Sequence, residues 1–197
     1  MASVLIQFAH PAFSRSRVQK ALVKACRNLE GVTFNDLYEQ YPDLYIDIRR
    51  EKELLLQHDV IILQHPFYWY SGPAIIKQWQ DLVLEYNWAY GPSGYALQGK
   101  KLISAISCGN TADAYDENGM HGFPLKQFLL PFQRTAHLCR MEYLSPFVVF
   151  GAHRKTQQEI DAEADVYAKL IAGFVADRFT GKQCHTVEYL NQLLSTP

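Results

Sequence analysis

Val60-Ile61-Ile62-Leu63 is an unbroken apolar run, with no polar face that could meet water. A strand with one solvated face alternates; a continuous run is what a strand needs when helices cover both sides of its sheet. Residues 60–63 are therefore expected at the centre of a parallel sheet and not at its edge. Pro66, Phe67, Tyr68, Trp69 and Tyr70 follow almost at once. So many rings in one loop carry apolar area that needs a flat cover, either a ligand or a second subunit. Packing into the protein's own core is the plain alternative. Ser71 ahead of Pro73 suits a helix N-cap followed by an early proline, and Ile75, Ile76, Trp79, Leu82 and Val83 supply the apolar face of that helix.

The rest of the chain repeats this alternation. Residues 3–9 (SVLIQFA) are strand-like, and Val18, Ala21, Leu22, Ala25 and Cys26 give helical spacing over 17–29. A second strand is expected at 32–34, an irregular tyrosine-rich stretch at 36–47, and a short helix at 49–56. After the helix at 74–84, the turn chemistry of YGPSGYALQG makes 90–99 a loop, and KLISAIS at 101–107 reads as a fourth strand. A helix over 125–139, a strand over 141–150 and a long helix over 156–179 complete the pattern. Strands alternating with helices imply a parallel sheet with right-handed crossovers. The fold class is α/β, a flavodoxin-like three-layer sandwich with a five-stranded parallel sheet in the order 2-1-3-4-5. In such folds ligands bind at the carboxyl ends of the strands, so the loops after strands one, three and four matter most.

Composition narrows the function. With 197 residues, 48% hydrophobic and 20% charged, the chain is expected to form one domain, residues 1–197. A net charge of −1 with interspersed signs lacks the field that collects nucleic acid. No stretch reaches the ~20 apolar residues of a membrane span, and the first residues, MASVLIQFAHP, have no signal-peptide pattern. A cytoplasmic location is expected. Cys26, Cys108, Cys139 and Cys184 lack paired spacing, so no disulfide framework and no structural metal are expected.

Three loops carry the candidate chemistry. HPAFSRSR at 10–17 leads into a helix whose free N–H groups favour an anion, with Ser14 and Ser16 as hydroxyl donors and Arg15 or Arg17 as charge. Serine before a helix is also the ordinary cap, and His10 could equally be a core or loop histidine. Neither GxGxxG nor GxxxxGK[ST] occurs in this loop. Ser107-Cys108-Gly109-Asn110-Thr111 is small enough to bring backbone donors close to a ligand edge. Tyr115, His121 and Gly122 stand where they could project over the same place.

On AHP at 9–11 with Ser16, LYEQYPDLYIDI at 37–48, QHPFYWYSGPAIIKQWQDLVL at 64–84, WAYGPSGYALQGK at 88–100 and CRMEYLSPF at 139–147, the chain resembles the flavodoxin-like NAD(P)H:quinone oxidoreductases. Within them it is most similar to the ancillary oxidoreductases of glutathione-regulated potassium-efflux systems. The resemblance covers most of residues 3–150; from about Arg154 onward no signature stands out. It implies a flavin, FMN with FAD as the other candidate, whose phosphate His10, Ser16, Arg17 and nearby backbone would hold. Pro66, Phe67, Tyr68, Trp69 and Tyr70 would flank the flavin ring, and Ser107, Cys108, Gly109 and Asn110 would line its pyrimidine edge. SCGN stands in place of the family's TTGG loop, and Gln19 in place of an asparagine. Tyr115 and His121, at the family's spacing, would be the catalytic pair, polarising a quinone or nicotinamide. NADPH or NADH would be co-substrate and a quinone-like molecule the acceptor. A homodimer is implied too, covering a rim of Phe67, Tyr68, Trp69, Tyr86, Trp88 and Tyr90. A potassium-efflux transporter is a further partner the resemblance raises, which would place the protein at the membrane's cytoplasmic face. A one-electron flavodoxin carrier fits less well, because such carriers are typically strongly acidic. Arg15, Arg17 and Arg154 are candidates for a 2′-phosphate, though each suits an ordinary solvated cation.

Overall fold

The computed structural model describes residues 1–194. Four parallel strands, β1 (Val4–Phe8), β2 (Val32–Asp36), β3 (Val60–Pro66) and β4 (Lys101–Ser107), lie in the order β2-β1-β3-β4. Two short strands, β5 (Glu142–Tyr143) and β6 (Phe147–Val149), share the fifth position, both parallel to β4. The continuous apolar strand is central as expected, with β1 on one side of it and β4 on the other.

Alternate side chains of each strand feed two cores. Val4, Ile6 and Phe8 of β1 pack with α1 (Arg17–Cys26) and α7 (Gln157–Val175), whereas Leu5 and its neighbours pack on the other face. That second face is covered by α3 (Ile48–Gln57), α4 (Ala74–Val83) and α6 (Leu130–Leu138). A strand flanked by two dry cores carries apolar side chains on both faces, which is why Val60–Leu63 shows no alternation; Gln64 and His65, further along β3, are buried with polar partners. Among the described residues no helix is long and apolar enough to cross a membrane, and all four cysteines are free thiols.

Proline accounts for two departures from the sequence reading. The helix expected over 125–139 is two helices, α5 (Leu125–Phe128) and α6, because Pro131 has no N–H for the carbonyl four residues back and its ring displaces that turn. The strand expected over 141–150 is broken between β5 and β6, where Pro146 cannot donate to the ladder. The tyrosine-rich stretch also contains one helical turn, α2 (Leu37–Gln40), capped by the Asp36 carboxylate. The last long helix, α7, stops at Val175, short of the expected end, and Phe179 folds back onto it. A Cβ on Gly173 would lie 2.1 Å from the Phe179 ring. Beyond it come α8 (Gly181–His185) and a single-turn segment that covers the outer edge of β6. Asn191 pairs with both backbone groups of Val148 at 3.0 Å, as a neighbouring strand would.

Under the segment between α2 and α3 lies a wholly buried carboxylate, Glu51. It accepts from Gln7 Nε2 at 2.6 Å, Tyr41 Oη at 2.7 Å, Trp79 Nε1 at 2.9 Å, Asn35 Nδ2 at 3.0 Å and Arg50 Nη1 at 2.7 Å. One acid thus ties β1, β2, α4 and the tyrosine-rich stretch together, so LYEQYPDLYIDI and the helix after the aromatic loop are joined through a single side chain.

Candidate functional site

The loops leaving β1, β3, β4 and β6 meet at the carboxyl edge of the sheet around a cleft with two adjoining lobes. One, of about 530 Å³, is walled by His10, Ala12, Arg15, Ser16, Pro66, Tyr68, Ser107 and Ala152. The other, of about 420 Å³, is walled by Trp69, Tyr70, Asn110, Tyr115, His121 and Arg154. Phe67, Gly109 and His153 belong to both. Each lobe is of the size that holds a small ligand.

The first lobe ends at the start of α1. Ser16 is the helix N-cap and its hydroxyl accepts from Gln19 N–H at 3.2 Å, so the ordinary capping role is met while its own O–H stays free to donate. Arg17 and Val18 N–H donate to no acceptor among the described residues. Free amides, the helix dipole and Arg15 make this end suited to an anion. The Arg17 side chain is turned away from the cleft, while its backbone N–H stays at the helix start. Its guanidinium is directed at the Lys155 carbonyl, 3.1 Å away, because the first residue of α1 faces the loop after β6. His10 accepts the Ala12 N–H on Nδ1 at 3.0 Å, which leaves Nε2 to carry the proton, and burial lowers its pKa. It meets the edge of Tyr68 with 5.9 Å between centroids.

The aromatic loop is a two-residue turn closed by reciprocal backbone bonds between Tyr68 and Ser71 of 3.1 and 2.9 Å. Trp69 and Tyr70 both have positive φ, 50° and 62°, the geometry of a type I′ turn that ordinarily takes Asn-Gly. Two large L-residues in this conformation cost about 1–3 kcal/mol each. The turn leaves Trp69 93% exposed and brings Tyr70 against Phe128, stacked at 5.2 Å, and edge-on to His121 at 5.6 Å. It also recruits Ser71, so α4 is capped by Pro73 with no side-chain bond, and the N-cap assigned to Ser71 from sequence is corrected. Tyr86, Trp88 and Tyr90, expected in the same rim, lie apart from the cleft. Tyr86 and Tyr90 pack on each other, and Trp88 lies under the Lys52 ammonium at 4.7 Å.

Beneath the turn, His65 is wholly buried with Nδ1 2.9 Å from the Pro66 carbonyl, so Nδ1 carries the proton. Burial pushes its pKa down to about 4. The folded pKa lies below the unfolded value of about 6.5, so its contribution is present above pH 6.5 and is lost as pH falls toward 4. The loss should reach about 3 kcal/mol at most. Urea unfolding across this window should show it in the wild type and not in His65→Leu; parallel pH profiles would contradict it.

After β4 the four loop residues divide their tasks. Ser107 lines the first lobe, Gly109 lines both, and Asn110 lines the second. Cys108, expected along the same edge, is not among the residues that wall either lobe. It is wholly buried, its N–H is taken by the Val149 carbonyl at 2.8 Å, and burial raises the thiol pKa to about 12. Gly109 and Asn110 N–H, by contrast, have no acceptor among the described residues. The Asn110 side chain donates from Nδ2 to His121 Nε2 at 3.0 Å, which leaves the His121 proton on Nδ1. His121 is stacked on Tyr115 with centroids 4.5 Å apart. Burial raises the Tyr115 pKa above the usual phenol value. Ala152 and His153 were not anticipated. The broken strand before them hides a β6 exit that carries His153 over Gly109, within 3.3 Å of a Cβ built there.

A family profile described as "Flavodoxin-like fold" matches residues 2–171. The chain belongs to this family. It is 43% identical over 171 residues to the glutathione-regulated potassium-efflux system ancillary protein KefG of Enterobacter sp. (strain 638), covering 87% of this chain and 93% of that one. The FMN complex of general stress protein 14 from Treponema denticola superposes with a TM-score of 0.81 at 36% identity, over 89% of this chain and 98% of that one. An NADPH-quinone reductase from P. pentosaceus gives a TM-score of 0.75 at 34% identity, over 84% and 97%.

Proposed function

We propose that the chain is an FMN-dependent NAD(P)H oxidoreductase acting on a quinone-like acceptor. The observation that carries this reading is the pairing, in one cleft, of an anion-suited helix start with the free N–H groups of Gly109 and Asn110 at the other side of the aromatic turn. A phosphate at one end, a flat ring against Phe67 and Tyr68, and acceptor atoms along one ring edge make up the ligand these groups suit. When bound, FMN supplies two-electron hydride chemistry, with NADPH or NADH as donor.

The chain's own residues hold and orient. Ser16, the start of α1 and Arg15 take the phosphate, and Gly109 and Asn110 donate to the electron-rich ring edge. Asn110 fixes the His121 tautomer so that Nδ1–H is the donor offered to a substrate oxygen. Tyr115 supports His121 by stacking. Neither group is a nucleophile, so their removal slows the reaction without abolishing it. His121→Gln or Tyr115→Phe is expected to lower turnover by ~10²-fold or less, read by stopped-flow reoxidation with a benzoquinone. Wild-type rates in both variants would remove these two assignments.

Two associations extend the proposal. Trp69, at 93% exposure beside the cleft, leaves apolar area that a two-fold copy would cover. The 43% identity to a potassium-efflux ancillary protein supports a second reading, a regulatory subunit on the cytoplasmic side of such a transporter. Potassium efflux from cells with and without the chain separates that role from a free-standing reductase.

A further inference from the structure

A line of buried polar side chains runs from the cleft into the core under α7. Tyr167 Oη donates to Gln64 Oε1 at 3.0 Å, Gln64 Nε2 to Gln19 Oε1 at 2.9 Å, and Gln19 Nε2 to Ser107 Oγ at 2.9 Å. Tyr167, Gln64 and Gln19 have no exposed surface, while Ser107 opens on the lobe that holds the anion end. Four elements, α7, β3, α1 and β4, each contribute one member. None of these bonds is needed by a helix or a strand ladder, so a core of ordinary apolar residues would serve packing as well.

The line has one stable direction. Reversing it would turn both amides over, make Ser107 the first donor, and leave the Tyr167 hydroxyl proton buried. Gln64 Oε1 is the one acceptor Tyr167 has among the described residues. A buried O–H without an acceptor is unfavourable enough to fix the orientation. Each amide then accepts on its inner side and donates on its outer side. Ser107 Oγ receives the last of these bonds, and its own proton is turned outward.

We propose that Tyr167, Gln64 and Gln19 are positioning residues that fix the Ser107 hydroxyl as a hydrogen-bond donor into the cleft, so that the ligand bound there presents an acceptor atom at that point. A serine free to rotate would accept or donate as the ligand required; this one selects for an acceptor. The identity of the ligand rests on the FMN reading above, whereas the direction of the line rests on the buried tyrosine.

FMN dissociation constants, measured by quenching of flavin fluorescence, test the proposal in a double-mutant cycle. Ser107→Ala and Tyr167→Phe should each weaken FMN about 3- to 10-fold, the worth of one neutral hydrogen bond. Adding Tyr167→Phe to Ser107→Ala should weaken it no further, because the donor that the tyrosine aims is already gone. Gln64→Met, which breaks the line at another link, should behave like Tyr167→Phe and covers the case in which that variant folds poorly. A purely structural tyrosine would lower thermal stability by the same amount in both backgrounds and leave the FMN constant unmoved. The proposal is overturned if Tyr167→Phe binds FMN within twofold of wild type while Ser107→Ala does not, or if the two losses multiply. Wild-type protein that fails to bind FMN at all would remove the flavin reading, and the proposal with it.

Discussion

Glu51→Ala should cost about 3–5 kcal/mol of stability in urea unfolding. Five donors converge on this carboxylate from β1, β2, α3, α4 and the turn after α2, and four of them, Gln7, Asn35, Tyr41 and Trp79, have little or no access to replacement water. Unpaired donors in a dry core each cost about 1–3 kcal/mol, partly offset where Arg50, whose side chain is 40% exposed, turns out to solvent. Glu53, two residues along α3, pairs with Arg49 on the open surface and gives the control. Its alanine variant should change stability by about 0.5 kcal/mol or less. Equal effects at the two glutamates would mean that the buried network contributes no more than a surface ion pair.

Replacing Trp69-Tyr70 by Asn-Gly should raise stability and lower activity together. The two positive φ angles that strain the wild-type turn are ordinary for Asn and Gly, so the substitution should gain about 1–3 kcal/mol per residue. It also removes a wall of the second lobe and the ring that stacks on Phe128 beside His121. Under the proposed function, turnover with a benzoquinone should fall by about 10²-fold through lost positioning of the acceptor. Strain kept in a conformation that only a ligand-facing role explains is a local cost borne for function. A variant that is more stable and equally active would leave the strained aromatics without that explanation.

The sheet was legible because burial leaves a direct mark on composition. Val60–Leu63 had to be apolar on both faces, and β3 is central; the strand order came from matching five alternating strands to a flavodoxin-like fold. The prolines at 131 and 146 were visible in the sequence, but whether each interrupts an element depends on which carbonyl it faces, and that is decided by tertiary placement. In the site, the loops were legible and the direction of individual side chains was not. Arg17 and Arg15 stand two positions apart, but Arg17 opens α1 and reaches Lys155 while Arg15 ends the single turn before the Ser16 cap and lines the cleft. Cys108 and Gly109 are adjacent, and strand pairing with Val149 buries the first while leaving the second free. The buried carboxylate of Glu51 gave no local sign, since apart from the adjacent Arg50 its partners come from positions 7, 35, 41 and 79. The line ending at Tyr167 was hidden likewise, because a tyrosine at helical spacing on the apolar face of a long amphipathic helix looks like any other core ring.

Visible absorption of the purified protein, recorded anaerobically before and after NADPH and again after a simple benzoquinone, tests the central claim most directly. The account predicts a yellow protein, or one made yellow by added FMN, that bleaches with NADPH and regains its colour with the quinone. A protein that stays colourless with FMN and FAD alike, or one whose bound flavin NADPH and NADH both leave oxidised, would contradict it.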